Sequence, residues 1–133
     1  MKPITVLLVD DHQLFLRLAT RFLQEQAAPE IRVVGLARTG HEALSQAQAL
    51  QPQTILLDLA MPDLSGLKVI PRLRAVVPRV TIIIVTGRQA EGYRQAALAA
   101  GADDFVTKAN LTTDLLPAIR RLVQTRPEKN AQK

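Results

Sequence analysis

Residues 4–11 read Ile-Thr-Val-Leu-Leu-Val-Asp-Asp. A six-residue run, nearly all apolar and rich in β-branched side chains, ends abruptly in two acids. It lacks the alternation of a half-exposed strand and is too short for an ordinary helix, so it reads as a strand buried on both faces. Four more short runs follow, Ile31–Ala37, Thr54–Leu57, residues 80–85 and residues 105–107, and four of the five are nearly all apolar. Helical patterns lie between them. Phe15, Leu18, Ala19, Phe22 and Leu23 keep helix spacing on one face. Thr39-Gly40-His41-Glu42 is a capping box ahead of Ala43, Leu44 and Ala47. Further helices fit residues 67–77, 90–100 and 114–123, with Gly101 placed to close the fourth as a left-handed cap.

Five strands alternating with five helices predict an α/β fold, a doubly wound parallel sheet covered on both faces. Right-handed crossovers restrict the winding, and two five-strand orders are natural, 2-1-3-4-5 being one of them. The pattern itself does not choose between them. Two prolines strain the helix grammar. Pro71 sits well inside the third helix and is expected to kink it or move its start. Pro117 is tolerated if Thr113 is the N-cap, because the lost donor is then the first helical one.

Composition narrows the function classes. The chain has 133 residues, 47% of them hydrophobic, which suits one soluble domain with a single core. It has no cysteine, which excludes disulfides and thiolate metal sites. The N-terminal apolar run is too short to span a bilayer and runs into acids, so neither a membrane anchor nor a secretory signal is expected, and a cytoplasmic protein is. The net charge is +5, from 17 basic and 12 acidic residues. The arginines are scattered and aromatics make up only 3%, so no base-stacking platform is expected and the surplus reads as a solvated surface.

The chemistry gathers at strand ends. Asp10 and Asp11 follow the first strand, Asp58 ends the third, Thr86 ends the fourth and Lys108 follows the fifth. In an open parallel sheet, ligands bind beyond the carboxyl ends of the strands, so these five groups should converge on one rim. An Asp-Asp pair alone would suit a helix N-terminus, and a lone Asp, Thr or Lys after a strand signifies little. The joint order of the five carries the argument. Three crowded carboxylates repel one another unless a cation joins them, and hard oxygen ligands indicate Mg²⁺ or a relative such as Mn²⁺. Lys108 adds a mobile positive charge and Thr86 a hydroxyl donor. Together they read as a phosphoryl-transfer site with Asp58 as the nucleophile. His12 and His41 read as a helix-start and a cap-region residue rather than ligands.

At this point the chain resembles the receiver domains of two-component response regulators. Val6-Leu7-Leu8-Val9-Asp10-Asp11-His12 resembles the family's first strand and acidic pair. The stretch Asp58-Leu59-Ala60-Met61-Pro62-Asp63-Leu64-Ser65-Gly66 matches its phosphoacceptor loop, Asp-x-x-Met-Pro-x-x-x-Gly. Thr86-Gly87 and Gly101-Ala102-Asp103-Asp104-Phe105-Val106-Thr107-Lys108 match its later motifs. The likeness covers residues 4–123, which sets a receiver domain over 1–123 and a polar tail or linker over 124–133. It implies the flavodoxin-like strand order 2-1-3-4-5.

The resemblance also implies roles. Asp58 would take a phosphoryl group from a sensor histidine kinase or phosphotransfer protein, and the domain would catalyse its own phosphorylation and dephosphorylation rather than act as a classical enzyme. Asp11, Asp58 and the backbone carbonyl of Ala60 would hold Mg²⁺ directly, with Asp10 acting through a water. Lys108 would pair with the phosphate, Thr86 would turn toward it and Phe105 would swing inward behind Thr86. The face of the fourth helix, fifth strand and fifth helix would then change its choice of partner, homodimerisation included. Asp11-His12-Gln13-Leu14-Phe15, Val33-Val34-Gly35 and Tyr93 ahead of Ala97-Leu98 most resemble receivers that precede a helix-turn-helix output domain. The protein then either stands alone or is the N-terminal piece of a longer transcription regulator.

Departures from the family pattern mark this chain. Ala109 stands where many receivers have proline after the lysine, which leaves the isomer of the Lys108–Ala109 bond open. Ala60 and Arg88, each two residues beyond a site residue, are expected to flank the phosphate and tune its lifetime. Three rival functions have their own signatures. A haloacid-dehalogenase-like phosphatase usually wants a second Asp two residues after the nucleophile, where Ala60 stands. A flavin or nucleotide binder wants phosphate-cradling amides after the first strand, where two acids stand. An unphosphorylated docking scaffold has no need of five intact site positions.

Overall fold

The structure is a computed structural model that describes residues 2–131 of the 133; the side chains of Arg88, Gln89, Glu91 and residues 125–131 lie outside that description. Five strands form one sheet: β1 (Ile4–Val9), β2 (Ile31–Ala37), β3 (Thr54–Leu57), β4 (Thr81–Thr86) and β5 (Asp104–Thr107). All pairings are parallel and the order is β2-β1-β3-β4-β5. The sheet is therefore the doubly wound one expected, with the chain reversing its direction of winding at β1 and β3.

Period-two alternation divides the buried side chains between two cores. Leu7, Val9, Ile55, Leu57, Ile82 and Ile84 face α2 (Gly40–Leu50), α3 (Gly66–Val76) and α4 (Arg94–Ala100). Val6, Leu8, Leu56, Ile83 and Val85 face α1 (Gln13–Ala27) and α5 (Leu111–Ala131). A strand covered on both sides has no solvent-facing polar face, which is why β1, β3 and β4 are almost wholly apolar, their few threonines lying at or near the strand ends.

Several local expectations shift. In α1 the buried stripe is Leu16, Ala19, Leu23 and Ala27, whereas Leu18 is exposed. A helix this apolar carries more than one acceptable stripe, and packing against the sheet selects one. The fourth helix is shorter than its periodicity implied, because Arg88–Tyr93 form a 3-10 segment ahead of α4. Pro71 lies inside α3, which starts at Gly66 behind the Ser65 cap, so the proline does not move the start. Thr113 is not the N-cap of α5. The helix begins at Leu111 after a 3-10 turn over Lys108–Asn110, which places Pro117 in its second turn, and its backbone continues to Ala131 rather than stopping at residue 123.

Other expectations hold at atomic detail. The Thr39 hydroxyl accepts from the Glu42 amide at 3.0 Å, the first half of the capping box, while the Glu42 carboxylate accepts from the Arg38 amide at 2.9 Å, one residue before the cap rather than at it. Gly101 ends α4 at φ 120°, where a side chain would be strained.

Candidate functional site

Strand register builds the site. Val9 of β1 pairs with Leu57 of β3, so the next residues, Asp10 and Asp58, leave the sheet side by side. Each remains tied to the ladder: the Asp10 amide donates to Ala37 O and the Asp58 amide to Val9 O, both at 3.0 Å. Thr86 and Thr107 pair at the ends of β4 and β5, which sets Lys108 immediately beyond. Asp10, Asp58 and Thr86 are 1%, 3% and 1% exposed, a depth at which bare carboxylates are costly.

The side chains meet. The Thr86 hydroxyl donates to Asp58 Oδ1 at 2.6 Å, and the Ala60 amide reaches the same oxygen at 3.3 Å. Lys108 Nζ lies 2.7 Å from Asp10 Oδ2 and 3.4 Å from Asp58 Oδ2. The same ammonium sits 4.4 Å from the centre of the Phe15 ring, a cation–π contact that holds the lysine over the acids. The Lys108–Ala109 bond is trans, the cis bond among the described residues being Ala28–Pro29.

The loop from Asp58 to Gly66 is closed by the Gly66 amide on Leu59 O at 2.9 Å. A Cβ on Gly66 would fall 2.7 Å from the Leu59 Cα, so glycine is required for this close approach. Asp63 anchors the loop to the start of α2. It accepts from the Gly40 amide at 2.8 Å and the His41 amide at 3.1 Å, and its Oδ2 contacts His41 Nδ1. The Gly40 amide first, and the His41 donors with it, hold the Asp63 carboxyl well below the usual carboxylate range. This anchor escaped sequence reading, because Asp63 occupies a variable position of the loop motif and nothing local links it to a helix more than twenty residues away.

The remaining expected positions are more dispersed. Phe105 is buried beneath α4, with the Arg94 guanidinium 5.5 Å from its ring centre. Arg94 also approaches Asp104, which binds Arg121 of α5 at 2.6 Å, so charged contacts link α4, β5 and α5. Arg88 falls in the 3-10 segment after Thr86, and its side chain lies outside the described residues.

The cluster passes a direct test for a cation. Asp10, Asp11, His12 and Asp58 each offer a ligand atom, all within 4.8 Å of one another. Two buried carboxylate oxygens there, Asp10 Oδ2 and Asp11 Oδ1, have no hydrogen-bond partner; the only other such side-chain atoms among the described residues are the hydroxyls of Thr20 and Thr54. Lys108 stands close to Asp10 Oδ2 as an ion, without hydrogen-bond alignment. Buried anionic oxygens without donors fit a hard divalent ion.

Comparison with known proteins agrees with this geometry. A family model, the response regulator receiver domain, matches residues 6–120. The response regulator protein VraR of Staphylococcus saprophyticus is 31% identical over 119 residues, which cover 90% of this chain and 56% of that protein. The chain thus spans about half the length of the curated relatives it matches. Among solved structures, the response regulator domain of Thermotoga maritima CheB is 30% identical with a TM-score of 0.83, covering 92% of this chain and 97% of that one. A LuxR-family two-component response regulator from Aurantimonas is 27% identical with a TM-score of 0.84, covering 93% and 87%. No helix of the described residues is long and apolar enough to cross a membrane. Fold, rim and family model lead to one conclusion: the chain belongs to the response regulator receiver domains.

Proposed function

We propose that the domain accepts a phosphoryl group on Asp58 from a sensor histidine kinase or a phosphotransfer protein, with Mg²⁺ or Mn²⁺ as the resident cation. The observation that carries this reading is the environment of Asp58. It is a buried carboxylate with one oxygen held by Thr86 and Ala60, the other facing Lys108, beside two acid oxygens that lack donors.

The chain's own residues supply most of the chemistry. A carboxylate oxygen of Asp58 forms the new P–O bond as the donor's P–N bond to imidazole breaks, and the electron pair leaves on the imidazole nitrogen. The Lys108 ammonium balances negative charge on the incoming phosphoryl oxygens. The Thr86 hydroxyl, now on Asp58 Oδ1, is free to donate to a phosphoryl oxygen instead. Asp11, Asp58 and the Ala60 carbonyl are the ligands we assign to the cation, with Asp10 acting through a water. When bound, that cation neutralises the carboxylates and the phosphoryl oxygens.

Once Thr86 leaves Asp58 Oδ1, the contacts behind it change, and Phe105 with the charged α4–β5–α5 face transmits the event to a partner, a second copy included. The likeness to VraR and to a LuxR-family regulator supports a transcriptional output through a further domain, in the cytoplasm, with nucleic acid contacted by that domain and not this one. Ala60 and Arg88 are assigned to tuning the lifetime of the acyl phosphate; an unchanged dephosphorylation half-life in Arg88→Ala removes Arg88 from that role. Intact mass after incubation with acetyl phosphate and Mg²⁺ tests the whole reading. One added phosphoryl is expected, lost with EDTA and with Asp58→Asn. An adduct that survives Asp58→Asn, or sustained turnover of phosphate esters, overturns it.

A further inference from the structure

His12 is more than the cap residue of a helix. Its backbone takes the N-cap position of α1, at φ −88° and ψ 104°, yet its side chain makes no capping hydrogen bond. The ring instead turns back over the rim. Its Nδ1 stands 3.2 Å from Asp10 Oδ1 and 3.2 Å from Asp11 Oδ1. The His12 amide donates to the same Asp10 oxygen at 2.8 Å, so the residue grips Asp10 through Oδ1 and leaves the buried Oδ2 without a hydrogen bond. The imidazole therefore belongs to the shell that surrounds the donor-free oxygens.

We propose that His12 is a nitrogen ligand of the cation centre and shifts its preference from Mg²⁺ toward nitrogen-loving divalent ions such as Ni²⁺ and Co²⁺. The inference rests on the reading that the rim holds a cation. Two observations support it. The ligand atoms of Asp11, His12 and Asp58 lie within 4.8 Å of one another, with that of Asp10 inside the same distance for its water-bridged contact. Opposite ligands of a small octahedral ion are separated by about 4.2 Å, so the direct ligands close on an ion with shifts of tenths of an ångström. The His12 side chain is 68% exposed, so its ring can make that shift without repacking the core. Chemistry gives the direction. A shell of carboxylates and water suits Mg²⁺, whereas one imidazole strengthens binding of later first-row ions far more than of Mg²⁺.

The test uses the untagged full chain. Calorimetric titrations with MgCl₂ and NiCl₂ are compared for wild type, His12→Ala and His41→Ala, the last controlling for the other exposed histidine. His12→Ala should weaken Ni²⁺ by about tenfold or more and leave Mg²⁺ within about twofold. His41→Ala should change neither. Pulsed electron paramagnetic resonance of bound Mn²⁺ should show imidazole nitrogen coupling in wild type that disappears in His12→Ala. Equal Ni²⁺ affinity in wild type and His12→Ala, or loss of Ni²⁺ binding in His41→Ala instead, overturns the role of His12. Failure of wild type to bind either ion overturns the cation reading itself. His12→Gln, which keeps a polar side chain at the helix start, separates lost ligation from lost folding.

Discussion

The two ends of the sheet carry the same chemical ingredients in opposite states. At the amino end of β5, Asp103 accepts from the Ile82 amide at 2.8 Å and from Arg74 at 2.6 Å. Arg74 also donates to Gly101 O, at 2.7 and 3.0 Å, and to Val80 O. Its planar fork matches fixed acceptors and joins α3, β4 and the turn after α4. At the carboxyl end, Asp10 and Asp58 share Lys108 with Asp11 beside them, and two of the buried carboxylate oxygens there have no hydrogen-bond partner. A filled cluster stabilises. An under-filled one is tolerated where a ligand completes it, and that difference separates a structural ion pair from a site.

The contrast can be broken at either end. The largest stability effect is expected from Arg74→Met, which leaves Asp103 and two carbonyls without their guanidinium. The loss should be about 3 kcal/mol in urea denaturation, and Mg²⁺ should not restore it. Next is the cation itself. Wild type should gain about 2.7 kcal/mol when Mg²⁺ exceeds its dissociation constant a hundredfold. Lys108→Met should be destabilised without the ion and recover with it, unlike the Arg74 variant. Were Mg²⁺ to rescue both, or neither, the distinction between the two ends would collapse.

Asp58→Asn should act in the opposite sense, raising stability without divalent ions by about 1 kcal/mol, because it removes one of three crowded charges. A lowered melting temperature would mean that Thr86 and Lys108 already compensate the rim. The smallest effect is expected at Asp63, which borders the same rim but has its donors. Its folded carboxyl is held below the ordinary Asp value, so its ionised form stabilises above the unfolded pKa of about 3.9 and the contribution disappears as pH falls through the folded value. Asp63→Asn should therefore lower the melting temperature at pH 7, with the gap to wild type closing in acid. A gap that widens on acidification would be incompatible with that sign.

Much of this was legible in the residues. Strand and helix periods read directly because a strand buried on both faces must be apolar throughout, and the five chemical positions read because strand ends in a parallel sheet share one rim. Three things were not legible. The apolar stripe of α1 passes through Leu16 and omits Leu18, since competing stripes differ only in what they meet across the sheet. The Asp63 anchor joins segments far apart in sequence, so no local pattern encodes it. His12 looked like a helix start, and it is the N-cap, but its ring makes no cap and stands against Asp10 and Asp11, a placement no local pattern encodes.

The sequence alone determined the element order, the rim and the residue types gathered there, because periodicity and strand-end chemistry are local properties of the chain. Tertiary structure decided which oxygens lack donors, which helix face is buried and where the two histidines point. Those depend on distances between residues that only folding brings together.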